Sequence, residues 1–245
     1  MYRLKNSGFK LFITGVQNVG KTMISKRLQT ILKNNDALQI IEVDFLKDFF
    51  HKDILMLKKK ANEHGMKLNE LRWILEDMSL HQTISGTSYI LDFDGIEKQS
   101  EYLFPRLMHA VERHTEKGIP TIIEGQNIPV DKLIKYYREK KINDLNFDLN
   151  SIIIVNLYVN SIEDLEKHLN FRIIDRQLAG KEKEKQETEI LDLWKLNEYL
   201  KASVEKLKEK NQDMNIAVID NSGIEDMDVA VRPIINLIEK TNNFR

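Results

Sequence analysis

The sequence predicts an α/β fold, a sheet of five mostly parallel strands covered by helices on both faces. Two observations predict it. Five short apolar, β-branched runs stand out: "FKLFIT" (9–14), "LQIIEV" (38–43), "PTIIEG" (120–125), "SIIIVNLYV" (151–159) and "NIAVID" (215–220). Each is apolar on both faces, and a helical pattern separates each run from the next, as in a parallel sheet buried on both sides.

The elements follow in order. After the first run comes "GVQNVGKT" and then a helix whose buried stripe is Ile24, Leu28 and Ile31. Between the second and third runs lie about seventy residues, far more than one crossover needs, which predicts a helical insert over about 52–96. A helix from Glu97 to Lys117 follows, with Leu103, Leu107 and Val111 inward and Gly118 as its C-cap. Ser161 caps a helix marked by Ile162, Leu165 and Leu169, and Leu193, Leu196, Leu200, Val204 and Leu207 mark a long one. Between those two, "RIIDRQLAGKEKEKQETE" is polar, charged and broken by Gly180. Its simplest reading is a solvated helix end; its functional reading is a lid over 172–190 with two arginines at the base. No internal repeat or flexible linker divides the chain, so 1–245 reads as a single domain with an insert and a lid.

Composition bounds the function. The 245 residues are 42% hydrophobic and 31% charged with a net charge of -1, which fits a globular enzyme and gives no basic field for nucleic acid. There is no cysteine, hence no disulfide or thiolate metal site. The first residues, "MYRLKNSGFKLF", lack a signal-peptide core and no apolar run has membrane-spanning length, so the expectation is a cytoplasmic protein without a membrane partner. A homodimer is compatible with the sequence.

The strongest motif is "GVQNVGKT", Gly15–Thr22, which satisfies Gly-x4-Gly-Lys-Thr between a strand and an amphipathic helix. Glycines there allow backbone N–H groups and the helix N-terminus to face phosphates. Lys21 would bridge the β- and γ-phosphates, and the Thr22 hydroxyl would take a Mg²⁺ position. Gly15, Asn18, Val19, Gly20, Lys21, Thr22 and Met23 are therefore the candidate ATP contacts. The chain thus reads as a P-loop NTPase three-layer sandwich. It lacks the Asn-Lys-x-Asp base reader of GTP switches and the Ser-Gly-Gly-Gln signature of transporter ATPases. Its third strand ends in the single acid Glu124, suited to Mg²⁺ or an acceptor contact without an obvious means of preparing a hydrolytic water. Transfer to a substrate is the expected outcome.

On the acceptor side, Asp44 closes the second strand in "IIEVDFLKDFF". A carboxylate there sits where open α/β folds bind ligands and could take the proton of an attacking hydroxyl, although Asp is also a common helix N-cap. Lys47 and His51 lie one turn apart beyond it and could face an anionic substrate. Arg172 and Arg176 are likewise one turn apart and could neutralise a transferring phosphoryl, or else pair with nearby acids such as Asp175.

In order, "GVQNVGKT", "VDFLKDFFH", "GTSYILDFDGIEKQ", "AVERHTEKGIPTIIEG", "LEKHLNFRIIDR" and "AVIDN" resemble 2-phosphoglycerate kinases and their P-loop kinase relatives, over residues 9–222. The resemblance implies an adenylate-kinase-like sheet, ATP and Mg²⁺, and phosphorylation of a small hydroxy acid. It assigns Lys21 and Thr22 to phosphates and metal, Asp44 to the acceptor hydroxyl and Lys47, Ser88 and Tyr89 to the acceptor side. It assigns Glu124 to the metal shell and the stretch around Asn221 to the neighbourhood of adenine. The sequence departs from that pattern at Lys47, His51, Asn127 and Asn170, where the family has arginine or histidine. Fewer acceptor-side arginines imply an acceptor with less anionic charge, a sugar acid or hydroxylated metabolite. A zeta-toxin-like kinase of nucleotide sugars and a non-catalytic ATP-binding module are the alternatives.

Overall fold

The computed structural model describes residues 8–32, 38–43, 93–126, 128–175, 183–223 and 227–243. The strands are β1 (Lys10–Thr14), β2 (Gln39–Glu42), β3 (Thr121–Glu124), β4 (Ile152–Tyr158) and β5 (Asn215–Asp220). The helices are α1 (Lys21–Ile31), α2 (Phe93–Glu116), α3 (Val130–Asn143), α4 (Ile162–Asp175), α5 (Lys183–Lys210) and α6 (Met227–Asn243). All five strands join one sheet in the order β2-β3-β1-β4-β5, and every pairing is parallel.

Side-chain alternation along the central strands fills two cores. Phe12, Ile123 and Ile154 turn to one face, where α2 contributes Leu103, Leu107 and Val111 and α3 contributes Leu133 and Tyr137. Leu11, Ile13, Ile122, Ile153 and Val155 turn to the other, against Ile24 and Leu28 of α1, Leu165 of α4 and Ile234 of α6. Ile122 and Ile153 are fully buried, each worth about 1.5–3 kcal/mol of apolar burial. The helix α5 serves both cores, giving Leu196 to one and Val204 to the other. Asn197, next to Leu196, holds the backbone of Val159 through both its amide atoms, at 3.3 and 2.9 Å. The helix is thereby pinned across the C-terminal end of β4.

Three findings refine the sequence expectations. First, only β1, β3 and β4 are buried along their length, apart from Tyr158; the edge strands β2 and β5 are half-exposed, because each has a neighbour on one side only. Second, α2 begins at Phe93, so residues 93–96, placed in the insert by sequence, are continuous with the helix. Third, α4 runs to Asp175 and α5 starts at Lys183, so both ends of the expected lid are helical and its centre, 176–182, lies outside the described residues. The caps are as expected. Gly118, at φ 66°, donates to Thr115 and Ile119 donates to His114, the paired bonds of a Schellman ending. The Ser161 hydroxyl accepts from the Asp164 N–H at 3.1 Å.

Candidate active site

The site is built at the C-terminal end of β1, the central strand, with β3 and β2 on one side and β4 and β5 on the other. The chain leaves Thr14 through Gly15 at φ 142°, Asn18 at φ 67° and Gly20 at φ 86°, then enters α1 at Lys21. A Cβ on Gly15 would collide with the Leu157 carbonyl, and one on Gly20 would lie 2.6 Å from Asn221 Nδ2. Asn is among the few other residues that tolerate a positive φ. Positive φ at Asn18 and Gly20 curls the loop, and the N-terminus of α1 opens beside it, the geometry of an anion cradle. Val19 is fully buried, so it offers a ligand its backbone and keeps its side chain in the core.

Lys21 is also buried, and its Nζ donates to the carbonyls of Gly15 at 3.0 Å and Val16 at 2.7 Å. An ammonium held in this low-dielectric loop is strongly attracted to an incoming phosphate. Thr22, on the exposed side of the first turn, donates its hydroxyl to Glu124 Oε1 at 2.7 Å. Glu124 ends β3, is 4% exposed, and lies beside β1 in register with Ile13. Hydroxyl and carboxylate oxygens are the hard ligands that Mg²⁺ takes, together with waters and phosphate oxygens. Among the described residues no group of three His, Cys, Asp or Glu forms a cage, so such an ion would depend on ligand oxygens as well.

Two residues brace the loop from behind. Asn221, just beyond β5, donates Nδ2 to the Val19 carbonyl at 2.7 Å, and its own N–H donates to Tyr158 at 2.8 Å. The resemblance puts this residue near adenine; in the structure its amide is committed to the phosphate loop. His168 on α4 is 9% exposed and sits against the same junction. Burial lowers its pKa below 6.5, outweighing the backbone of Asn221, Asn18 and Ser222 and the Asp164 carboxylate, which favour its charged form. The sequence carries His168 only within a His-plus-Arg helix, and nothing in its spacing points to the loop.

The structure therefore brings Gly15, Asn18, Val19, Gly20, Lys21, Thr22, Glu124 and Asn221 together. Met23 is on the outer side of the first turn of α1, 39% exposed. Asp44, Lys47, Ser88, Tyr89 and Arg176 lie outside the described residues, as does the side chain of Arg172. Next to the loop, a cavity of about 360 Å³ opens between the ends of β1 and β3 and the helices α2, α3 and α5, lined by Thr14, Ser100, Gln126, Ile128, Ser203 and Val204 among others.

Several solved structures are similar to the chain. A gluconokinase from Sinorhizobium meliloti 1021 is 13% identical, with 99% of this chain and 97% of that one aligned at a TM-score of 0.43. A deoxyadenosine kinase from M. mycoides with bound dATP is 15% identical, with 94% and 99% aligned at 0.42. A component of the PezAT toxin–antitoxin system of Streptococcus pneumoniae is 14% identical, with 99% and 88% aligned at 0.44. Neither a protein-family model nor a curated protein matches the chain. Among the described residues no helix is long and apolar enough to cross a membrane.

Proposed function

We propose that the chain is an ATP-dependent kinase that passes the γ-phosphoryl to a hydroxyl of a small, carboxylate-bearing molecule. The observation that carries this reading is the junction of Lys21, Thr22 and Glu124 at the mouth of the β1 loop. Lys21 and the loop amides bind and orient the β- and γ-phosphates. Thr22 and Glu124 would hold Mg²⁺, which would supply charge neutralisation at the phosphates. Asp44 orients or deprotonates the acceptor hydroxyl, and Lys47, Ser88 and Tyr89 serve the acceptor side. Arg172 and Arg176 neutralise charge on the transferring phosphoryl. Catalysis is then mostly positioning and charge neutralisation.

The test is ADP formation with Mg²⁺ and ATP across a panel of hydroxylated small molecules. Acceptor-dependent ADP, abolished by Lys21→Met, is expected. ADP formed equally fast without any acceptor would show hydrolysis and overturn the reading.

A further inference from the structure

The end of the sheet beside the cavity holds buried polar side chains that the described residues leave unpaired. Thr14 of β1 pairs in register with Asn156 of β4. Two residues earlier, Phe12 pairs with Ile154, and both belong to the core under α2 and α3. Side chains alternate along a strand, so Thr14 and Asn156 turn to that same face, on neighbouring strands. Thr14 is 1%, Asn156 0% and Gln126 5% exposed. Thr14 Oγ1, both amide atoms of Asn156 and Gln126 Oε1 nevertheless have no hydrogen-bond partner among the described residues.

Buried polar atoms are nearly always paired, and leaving one unpaired costs more than a hydrogen bond returns. Four at one sheet end point to partners that the described residues do not supply. Thr14 and Gln126 line the 360 Å³ cavity, a volume in the range of small-molecule sites and far above that of one water. Thr14 also immediately precedes Gly15, so the cavity starts at the foot of the phosphate loop. Its inner groups are neutral: Ser100, Gln126, Thr14 and Ser203. Of its charged residues, Glu101 and Lys132 bind each other at 2.6 Å, and Asp131, Lys206 and Lys210 are exposed at the mouth. Amides and hydroxyls both donate and accept, which matches alcohol groups, whereas phosphate recognition calls for arginine or lysine.

We infer that this cavity is the acceptor site and selects a polyhydroxylated chain, recognised through its hydroxyls by Thr14 and Gln126. As the site of phosphoryl transfer it rests on the kinase reading; as a binding site it does not. A hydroxyl held there lies beside a phosphoryl group positioned over Lys21, and a single carboxylate on the same molecule meets the lysines at the mouth.

The experiment measures binding without nucleotide, by saturation-transfer NMR and thermal shift, with D-glucitol, D-gluconate and 2-phosphoglycerate. Wild type, Thr14→Val and Gln126→Leu are compared. The two polyhydroxylated probes should bind and raise the Tm of wild type, with 2-phosphoglycerate weaker. Both variants should melt at or above the wild-type temperature without ligand, because each removes unpaired buried groups, yet bind the probes about tenfold more weakly. Unchanged binding in the variants, no binding to wild type, or preference for 2-phosphoglycerate would overturn the inference. Variants that melt well below wild type would assign the polar atoms to structural water and overturn it as well. Polyol binding with no transfer to any hydroxyl refutes the kinase reading alone; transfer that survives with intact polyol binding in both variants refutes this inference alone.

Discussion

The Thr22 hydroxyl donates to Glu124 Oε1 at 2.7 Å, joining the first turn of α1 to the end of β3 across 102 residues of sequence. If that pair holds the metal, Glu124→Gln keeps the shape and removes the charge. Apparent Mg²⁺ affinity or turnover should fall about 10–100-fold, while ATP binding measured without Mg²⁺ by calorimetry stays the same. Equal Mg²⁺ dependence in variant and wild type would remove Glu124 from the site.

Asn221 clasps the loop through Val19, and its Nδ2 occupies the space a Cβ on Gly20 would need. Asn221→Ala leaves the buried Val19 carbonyl without this donor and should cost about 1–3 kcal/mol in urea unfolding. Gly20→Ala adds strain at φ 86° and a collision with that amide. The double variant should therefore be less destabilised than the two single losses added together, since the collision is gone. Strict additivity would show that the clasp and the glycine are independent.

Lys10, buried at the opposite end of β1, has its pKa lowered from 10.5 to about 8, chiefly by burial, with Glu112 opposing and Lys140 adding to the shift. The folded state binds fewer protons than the unfolded chain between those values, so stability rises with pH across that window. The span corresponds to about 3 kcal/mol. Lys10→Met should exceed wild type in stability below pH 8, and the gap should close by pH 10.5. A gap independent of pH would contradict this.

His168 has a folded pKa below 6.5. Its contribution is full above 6.5 and is lost as pH falls below it, because the unfolded chain takes up the proton first. His168→Gln should flatten the acid side of the stability profile below pH 6.5. An unchanged slope would show that the ring titrates freely.

Much of this was legible in the sequence for identifiable reasons. The phosphate loop depends on contiguous residues, Gly15 to Thr22, and its glycines and lysine have narrow chemical roles. The central strands declare themselves because burial on both faces demands unbroken apolar runs such as Ile152–Val155. The Asn221 clasp was not legible, because its partner Val19 is 202 residues away and only the order of the sheet brings them together. The Thr14–Asn156 pair was hidden for a related reason: strand register decides which polar residue ends beside which. Helices α3 and α6 carry weaker signals, one with a short stripe of Val130, Leu133, Ile134 and Tyr137, the other interrupted by Pro233.

The central claim is that the terminal phosphate goes to an alcohol and not to water. Following the γ-phosphorus by ³¹P NMR, with Mg²⁺, ATP and a polyhydroxylated acid, tests it most directly. The expected result is a phosphate-ester resonance growing in step with ADP, absent in Lys21→Met. Inorganic phosphate growing in step with ADP, with no ester, would contradict it.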